Sequence, residues 1–240
     1  MQRVDAPEIL DSDICSPREA QAVLTVLGRV NRWFGGVATT QKMVNRVAEA
    51  AGAKRLSLLE VAAGSGEVPE IVRQRLQTRG VVLDVTLLDL AHSHLYDSNS
   101  VQKGSEKNRI VGNALSLPFK DAAFDMVSCS LFAHHLSPQQ LLVFVRESLR
   151  VSRRAVLIND LVRHPLHLAA AFAGFPIMWN RVAWQDGLTS VRRAYVPSEI
   201  EKVLNFSSFE LPVRLEISRN FLYRMAVIIW RTSDSEKRID

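Results

Sequence analysis

Only two cysteines occur in the 240 residues, Cys15 and Cys129, far apart and outside any CxxC or paired-histidine spacing. No disulfide framework and no metal motif is legible, and no metal is expected. Long apolar runs are missing as well: the longest nearly uncharged stretch, 166–180, contains His167, Gly174 and Pro176 and falls short of the roughly 20 residues a spanning helix needs. Residues 1–13 carry three Asp and a Glu where a secretory leader would have a charged, then an apolar, then a small-residue stretch. A cytoplasmic protein is therefore expected. Charge is not of one sign either, with 30 Lys and Arg against 25 Asp and Glu, and the arginines are scattered. The net charge of +5 permits an anionic surface as partner and indicates none, which leaves peripheral membrane contact open. No RNA module is appended, so nucleic acid is not expected. Neither a repeat nor a low-complexity linker divides the chain, and an apolar content of 47% can fill one sizeable core, so a single domain over 1–240 is expected.

What is present centres on LSLLEVAAGSG, residues 56–66. An apolar run of strand length ends at Glu60 and passes through Ala62 and Ala63 into Gly64 and Gly66. Glu67, Pro69 and Glu70 then open a helical pattern with Ile71, Val72 and Leu76 on its apolar face. A glycine turn at a helix N-terminus offers unpaired N–H groups and a partial positive charge, the setting for a nucleotide-like cofactor.

Around this turn the elements follow in order. Ser16-Pro17-Arg18-Glu19 is a helix start, and Val23, Leu24, Leu27, Val30 and Phe34 repeat at helical spacing, predicting a helix to about Trp33 that Gly35-Gly36 ends. A second helix is predicted over 40–51, closed by Gly52, and residues 1–54 are expected to form a helical lid. Strands over 55–61, 81–88, 109–112, 124–130 and 155–159 alternate with helices over 67–78, after Ser93, and from Ser137-Pro138 to Arg150, with a loop over 97–108. This alternation argues for an α/β fold, a doubly wound, mostly parallel Rossmann-like sheet with helices on both faces. The rhythm breaks over 161–196, expected to be an insertion on the substrate side of the sheet. A helix from Pro197 to about Asn205 follows. Two final strands, 213–217 and 221–230, joined by Ser218-Arg219-Asn220, bring the sheet to seven strands with a C-terminal antiparallel hairpin.

Glycine turns after a first strand serve two large cofactor classes. In the dinucleotide pattern GxGxxG a third glycine is needed, and counting from Gly64 that position is Pro69. Glu60 suits a cofactor bearing an ammonium group better than a pyrophosphate, which a carboxylate repels. Asp89, ending the second strand, can accept two hydrogen bonds from ribose hydroxyls. Asn113-Ala114-Leu115, after the third strand, can meet an adenine edge through an amide oxygen and a backbone N–H.

As a set, EVAAGSG at 60–66, LLD at 87–89, NALSLPF at 113–119, FDMV at 124–127 and LFAHHL at 131–136 resemble class I S-adenosylmethionine-dependent methyltransferases, nearest the type 11 group acting on quinones and phenolic small molecules. The resemblance covers about 55–160. It implies S-adenosyl-L-methionine as cofactor, its methionine part surrounded by Glu60, Ala62, Gly64, Ser65 and Gly66. Asp89 would bind the ribose with Leu90 beside it, Asn113, Ala114 and Leu115 the adenine, and Ser130 would also border the cofactor. Two positions depart from the family. Ala62 stands where it often has a glycine, acceptable if φ is negative, and Asn113 replaces a frequent Asp while keeping the acceptor oxygen.

His134 and His135 follow the fourth strand beside the expected methyl donor, where an imidazole can take a phenol proton; the other reading is core histidines bonded to backbone. Asp160, after the fifth strand, is either a base or substrate anchor or a cap. Trp33 and Phe34, within the NRWFGG segment, read either as part of a lid or as a glycine-capped helix end. In the insertion, His164, Trp179 and Arg193 are the substrate candidates, and its apolar body either lines a pocket or packs on the sheet. No Asn/Asp-Pro-Pro-aromatic sequence follows the fourth strand and no Pro precedes Cys129, which disfavours base methylation. The expected activity is methyl transfer, to oxygen before carbon, on a small, lipophilic, phenolic, quinone-like or polyketide-derived acceptor. The alternatives are a nicotinamide-dependent oxidoreductase and a methyltransferase-like binding protein without turnover.

Overall fold

Strand β1, Arg55–Val61, buries side chains on both faces: Leu59 and Val61 enter one core layer, Leu56 and Leu58 the other. Such two-sided burial is the mark of a parallel sheet covered by helices. The computed structural model describes residues 1–10, 17–95, 108–174, 180–204, 212–220 and 223–232. Strands β2 (Val82–Asp89), β3 (Arg109–Val111), β4 (Phe124–Ser130) and β5 (Ser152–Leu161) run parallel to β1, and β6 (Val213–Asn220) and β7 (Arg224–Arg231) close the sheet in the order β3-β2-β1-β4-β5-β7-β6. Strand β7 runs antiparallel to both β5 and β6, pairing Asn159 with Ala226 and Leu161 with Arg224. After β3 the chain returns to the other side of β1, so the carboxyl ends of β1 and β4 flank the switch point where open sheets bind ligands.

One face of the sheet is covered by α2 (Gly36–Ala51) and α3 (Glu67–Gln77), which bury Met43, Val44, Val47 and Val72 on Leu58, Met126 and Leu157. The other is covered by α5 (Pro138–Val151) and α8 (Pro197–Val203), with Phe144, Val145 and Ile200 on Val127, Val156 and Val227. A short helix α4 (His92–Leu95) follows β2. Helices α1 (Pro17–Trp33) and α7 (Arg181–Arg193) form a third, smaller cluster through Val23, Val26 and Ala183, with α6 (Pro165–Ala173) between β5 and α7 in sequence. Of the residues expected as a lid, α2 therefore belongs to a core layer, and α1 and residues 1–10 lie elsewhere.

Three boundaries differ from the sequence reading. The second helix starts at Gly36, not near residue 40, because Gly35 adopts φ 77° and turns the chain in one step, its carbonyl accepting from Thr39 N–H. Strand β5 extends to both sides of 155–159, held between β4 and β7. Ser218, Arg219 and Asn220, expected as the hairpin link, instead pair with Ala226, Met225 and Arg224; an edge strand tolerates polar residues, so β6 runs on through them. Most of the expected loop over 97–108 and the expected helix end at Asn205 fall outside the described residues. Among the described residues no helix is long and apolar enough to cross a membrane.

Candidate active site

Between β1 and α3 the backbone turns through three left-handed residues, Ala62 (φ 53°), Gly64 (φ 54°) and Gly66 (φ 74°). The negative φ that would make Ala62 a neutral replacement for glycine is absent: its Cβ sits in a conformation that L residues rarely adopt. A Cβ on Gly66 would fall 2.4 Å from Leu87 Cδ1, so the turn sits tightly on β2. Gly64 N–H donates to Asp89 Oδ2 at 2.8 Å and Ala63 N–H to the Leu88 carbonyl at 3.1 Å, tying the turn to the end of β2.

Two carboxyl groups flank this turn in different states. Glu60 is 2% exposed and lies opposite Ser128 in the β1–β4 register, with the Ser128 hydroxyl donating to its Oε2. Burial raises its pKa to about 7, against the opposing pull of the Ser128 and Ser130 hydroxyls, and among the described residues it pairs with no cation. Burial also acts to raise Asp89, but His94 and the N–H groups of Gly64 and Ala91 outweigh it, so Asp89 stays below the usual carboxylate range. Asn113 is exposed after β3, and its amide oxygen accepts from Leu115 N–H at 2.9 Å. That bond uses one of the two lone pairs of the amide oxygen, and Asn113, Ala114 and Leu115 all line the cavity.

The paired histidines occupy unlike places. A single 3-10 turn, Ala133–His135, leaves His134 1% exposed and the His135 side chain 20% exposed. His134 Nδ1 lies 2.6 Å from Asp160 Oδ1, and its backbone N–H donates to Asp160 Oδ2 at 2.9 Å. Its Nε2 stands 3.3 Å from Glu8 Oε1 without the alignment of a hydrogen bond. Burial alone would lower the His134 pKa, yet Asp160 and Glu8 carry it to about 9. His134 is thus an imidazolium near neutral pH rather than a ready base. Asp160 and Glu8, although burial acts to raise both, are held low chiefly by that same ring. Glu8 Oε2 also lies 3.6 Å from His135 Nε2.

Glu8 reaches this site because residues 1–10 are strapped across it. Arg3 donates to the carbonyls of His134, Leu136 and Arg193, and Asp186 on α7 accepts from the N–H groups of Ile9 and Leu10 at 2.7 and 3.0 Å. Ser190 Oγ donates to Glu8 Oε1 at 2.7 Å. Nothing in the sequence pattern marks Glu8. A second unanticipated residue, Arg224, is 1% exposed at the start of β7; it donates to Asn31 Oδ1 at 2.9 Å and to the Phe34 carbonyl at 3.3 Å, and approaches Asn159 Oδ1 at 3.5 Å. Burial lowers its pKa to about 10 despite the field of Asp160. A charged residue opening an otherwise apolar strand is the signal that could have found it. Asn159 Nδ2 completes the network on the Gly36 carbonyl and Thr40 Oγ1, both at 2.8 Å, and Thr40 Oγ1 lies 3.3 Å from Ser130 Oγ.

A cavity of about 840 Å³ joins these groups. Its lining includes Glu60, Gly64, Ser65, Asp89, Asn113 and Ser130 from the strand ends, and also Glu8, His134, His135, His167, Gly187 and Arg224. Ala62, Leu90, Ala114 and Leu115 also line it, whereas Gly66 and Asp160 stand behind its wall. The substrate candidates are dispersed. Trp33, 63% exposed, and Phe34 line an adjoining cavity of about 180 Å³. His164 caps α6 and stacks on Tyr223, and Arg193 is buried on the carbonyls of Ala6, His134 and His135, so both are structural here. Trp179 lies outside the described residues.

Residues 59–158 match the family model described as a methyltransferase domain, Methyltransf_11. Among solved structures, the chain is similar to the plantazolicin methyltransferase BpumL in complex with SAH, at 12% identity over 93% of each chain with a TM-score of 0.71. It is also similar to a SAM-dependent methyltransferase from Aquifex aeolicus, at 17% identity over 78% of this chain and 89% of that one, TM-score 0.54. A third, the magnesium protoporphyrin IX methyltransferase ChlM from Synechocystis PCC 6803 with bound SAM, is 14% identical over 82% and 80%, TM-score 0.52. A search of curated proteins returns no match. The domain match, the strand order and the acid-flanked glycine turn converge: residues 59–158 match a methyltransferase domain, and the chain has the fold of class I methyltransferases.

Proposed function

We propose that the chain methylates an oxygen of a small, largely apolar acceptor of phenolic, quinone-like or polyketide-derived chemistry. The observation that carries this reading is the cavity of about 840 Å³, whose lining joins the strand-end acids and glycine turn, taken here as the cofactor end, to the Glu8–His134–His135 group and Arg224, taken as the acceptor end. Its size lies high in the ~300–1,000 Å³ range of small-molecule sites, enough for a cofactor and a second ligand together.

The cofactor end fits S-adenosylmethionine on its own terms. Glu60, a buried acid with no cationic partner among the described residues, suits an ammonium, and Asp89 keeps about one of its four lone-pair sites, on Oδ2, for a ribose hydroxyl beyond those bonded to Gly64, Ala91 and His94. Asn113, Ala114 and Leu115, which line the cavity, are left for the adenine. When bound, the cofactor supplies a methyl group on a sulfonium, an electrophile whose displacement asks the protein chiefly for alignment.

At the acceptor end, residues 1–10, α1 and α7 line the cavity, and α6 contributes His167 and Ala171. Held between Asp160 and Glu8, His134 presents a fixed positive charge that favours an acceptor oxygen as its anion, with Asp160 positioning the ring. His135, which lines the cavity, is the group placed to take the acceptor's proton. The side cavity bordered by Trp33, Phe34 and Tyr223 accommodates an apolar extension of the acceptor.

The test is calorimetry with S-adenosylhomocysteine, then mass-spectrometric detection of methyl transfer to a panel of phenols, quinols, carboxylic acids and amines. Tight cofactor binding with turnover on hydroxyl acceptors is expected. Turnover confined to amines or to carbon would replace the acceptor reading, and failure to bind S-adenosylhomocysteine would remove the cofactor-end assignment.

A further inference from the structure

We infer that Glu8, His134 and His135 form a binding site for a divalent transition-metal ion of the zinc class at the acceptor end of the cavity. One ligand atom from each residue lies within 4.8 Å of the others. Two ligands ~2.0–2.1 Å from one zinc ion at the tetrahedral angle are about 3.3 Å apart. His134 Nε2 and Glu8 Oε1 are 3.3 Å apart, and His135 Nε2 and Glu8 Oε2 3.6 Å, close to that spacing before any ion draws them in.

Two further observations point to a ligand rather than an ion pair alone. His134 lines the cavity, and its Nε2 is fully buried and makes no hydrogen bond, since its approach to Glu8 lacks the required alignment. Its other nitrogen rests on Asp160 Oδ1 at 2.6 Å, which fixes ring orientation and enriches the free nitrogen, as the outer carboxylate of a carboxylate–histidine–metal arrangement does. Two imidazoles and one carboxylate select zinc, or a neighbour such as cobalt, nickel or iron, over magnesium or calcium, which favour oxygen donors. Three protein ligands leave one position open, and the cavity is the space beside it.

The function of that open position rests on the acceptor reading above: an acceptor hydroxyl bound there has its pKa lowered and releases its proton to solvent, so a metal takes the place of the His134 charge and makes His135 a ligand instead of a base. The site itself does not depend on that reading.

The experiment titrates the chelator-treated, desalted full chain with ZnCl2 alone and with CoCl2 alone, recording heats, bound metal by elemental mass spectrometry and the visible spectrum of the cobalt form. One equivalent per chain with the absorption of tetrahedral cobalt is expected. Glu8→Gln and His135→Ala should each weaken binding at least about tenfold, and Asp160→Asn by ~10–100-fold. S-adenosylhomocysteine binding, measured on each variant, reports that the cofactor end remains folded. Absence of stoichiometric uptake by the unaltered chain overturns the proposal, as does unchanged affinity in folded Glu8→Gln and His135→Ala. Metal uptake without turnover on any hydroxyl acceptor would uphold the site while counting against the acceptor reading, which keeps the two failures apart.

Discussion

The backbone N–H of Gly64 donates to Asp89 Oδ2 at 2.8 Å, so the acid proposed for the ribose also fixes the turn proposed for the methionine part. Asp89→Ala should therefore lose a ribose acceptor and loosen the turn together. Hydrogen bonds to a charged group contribute ~1.5–3 kcal/mol each, so a fall of about 100-fold in S-adenosylhomocysteine affinity is expected by calorimetry. Unchanged affinity would take Asp89 out of the site.

Ala62 holds φ 53°, a conformation that costs an L residue roughly 1–2 kcal/mol and glycine almost nothing. Ala62→Gly should be stabilising by about 1 kcal/mol, seen as a rise of ~2–4 °C in thermal midpoint for a chain of this size. A lower midpoint would show that the methyl group packs favourably enough to outweigh the strain.

Asp125 sits at the opposite end of the sheet, accepting from the N–H and Oγ of Ser57, both at 2.9 Å, and from Arg153 and Arg154. Burial acts to raise its pKa, but Arg153 and Ser57 lower it to about 2, from 3.8 in the unfolded chain. A lowered folded pKa gives stability that is complete above about pH 4 and drains away as pH falls toward 2. Asp125→Asn should be less stable than the unaltered chain in urea at pH 6, with the gap closing through that acid window.

Arg224→Lys keeps the charge but cannot span the Asn31, Phe34 and Asn159 oxygens at once. Leaving buried acceptors unpaired costs ~1–3 kcal/mol, which urea unfolding would register as a lowered midpoint with little change in slope. Since Arg224 lies at the acceptor end, S-adenosylhomocysteine affinity should change less than in Asp89→Ala.

The sheet was legible because its strands are apolar runs bounded by turn residues; β1 and β4 fall where the pattern places them. That Glu60, Gly64, Asp89, Asn113 and Ser130 line one cavity was legible for a related reason: each lies at or just past the carboxyl end of a strand, and strand ends converge at the switch point. Gly35 and Ser218–Asn220 misled because a glycine can make a corner as easily as a loop, and polar residues can continue an edge strand. The unequal burial of His134 and His135 could not be read from adjacent positions, since one 3-10 turn decides which ring faces inward. Glu8 and Arg224 were illegible for the plainest reason: distant segments put them in place, and no local pattern encodes that.

Because Glu8 and Arg224 wall the same cavity, its acceptor end exists only once contacts spanning almost the whole described chain have formed. The closure entropy of such distant contacts makes them slow to form. In refolding, the Gly64 turn and Asp89 can come together early, within two neighbouring strands, while the acceptor end must be the last part to mature.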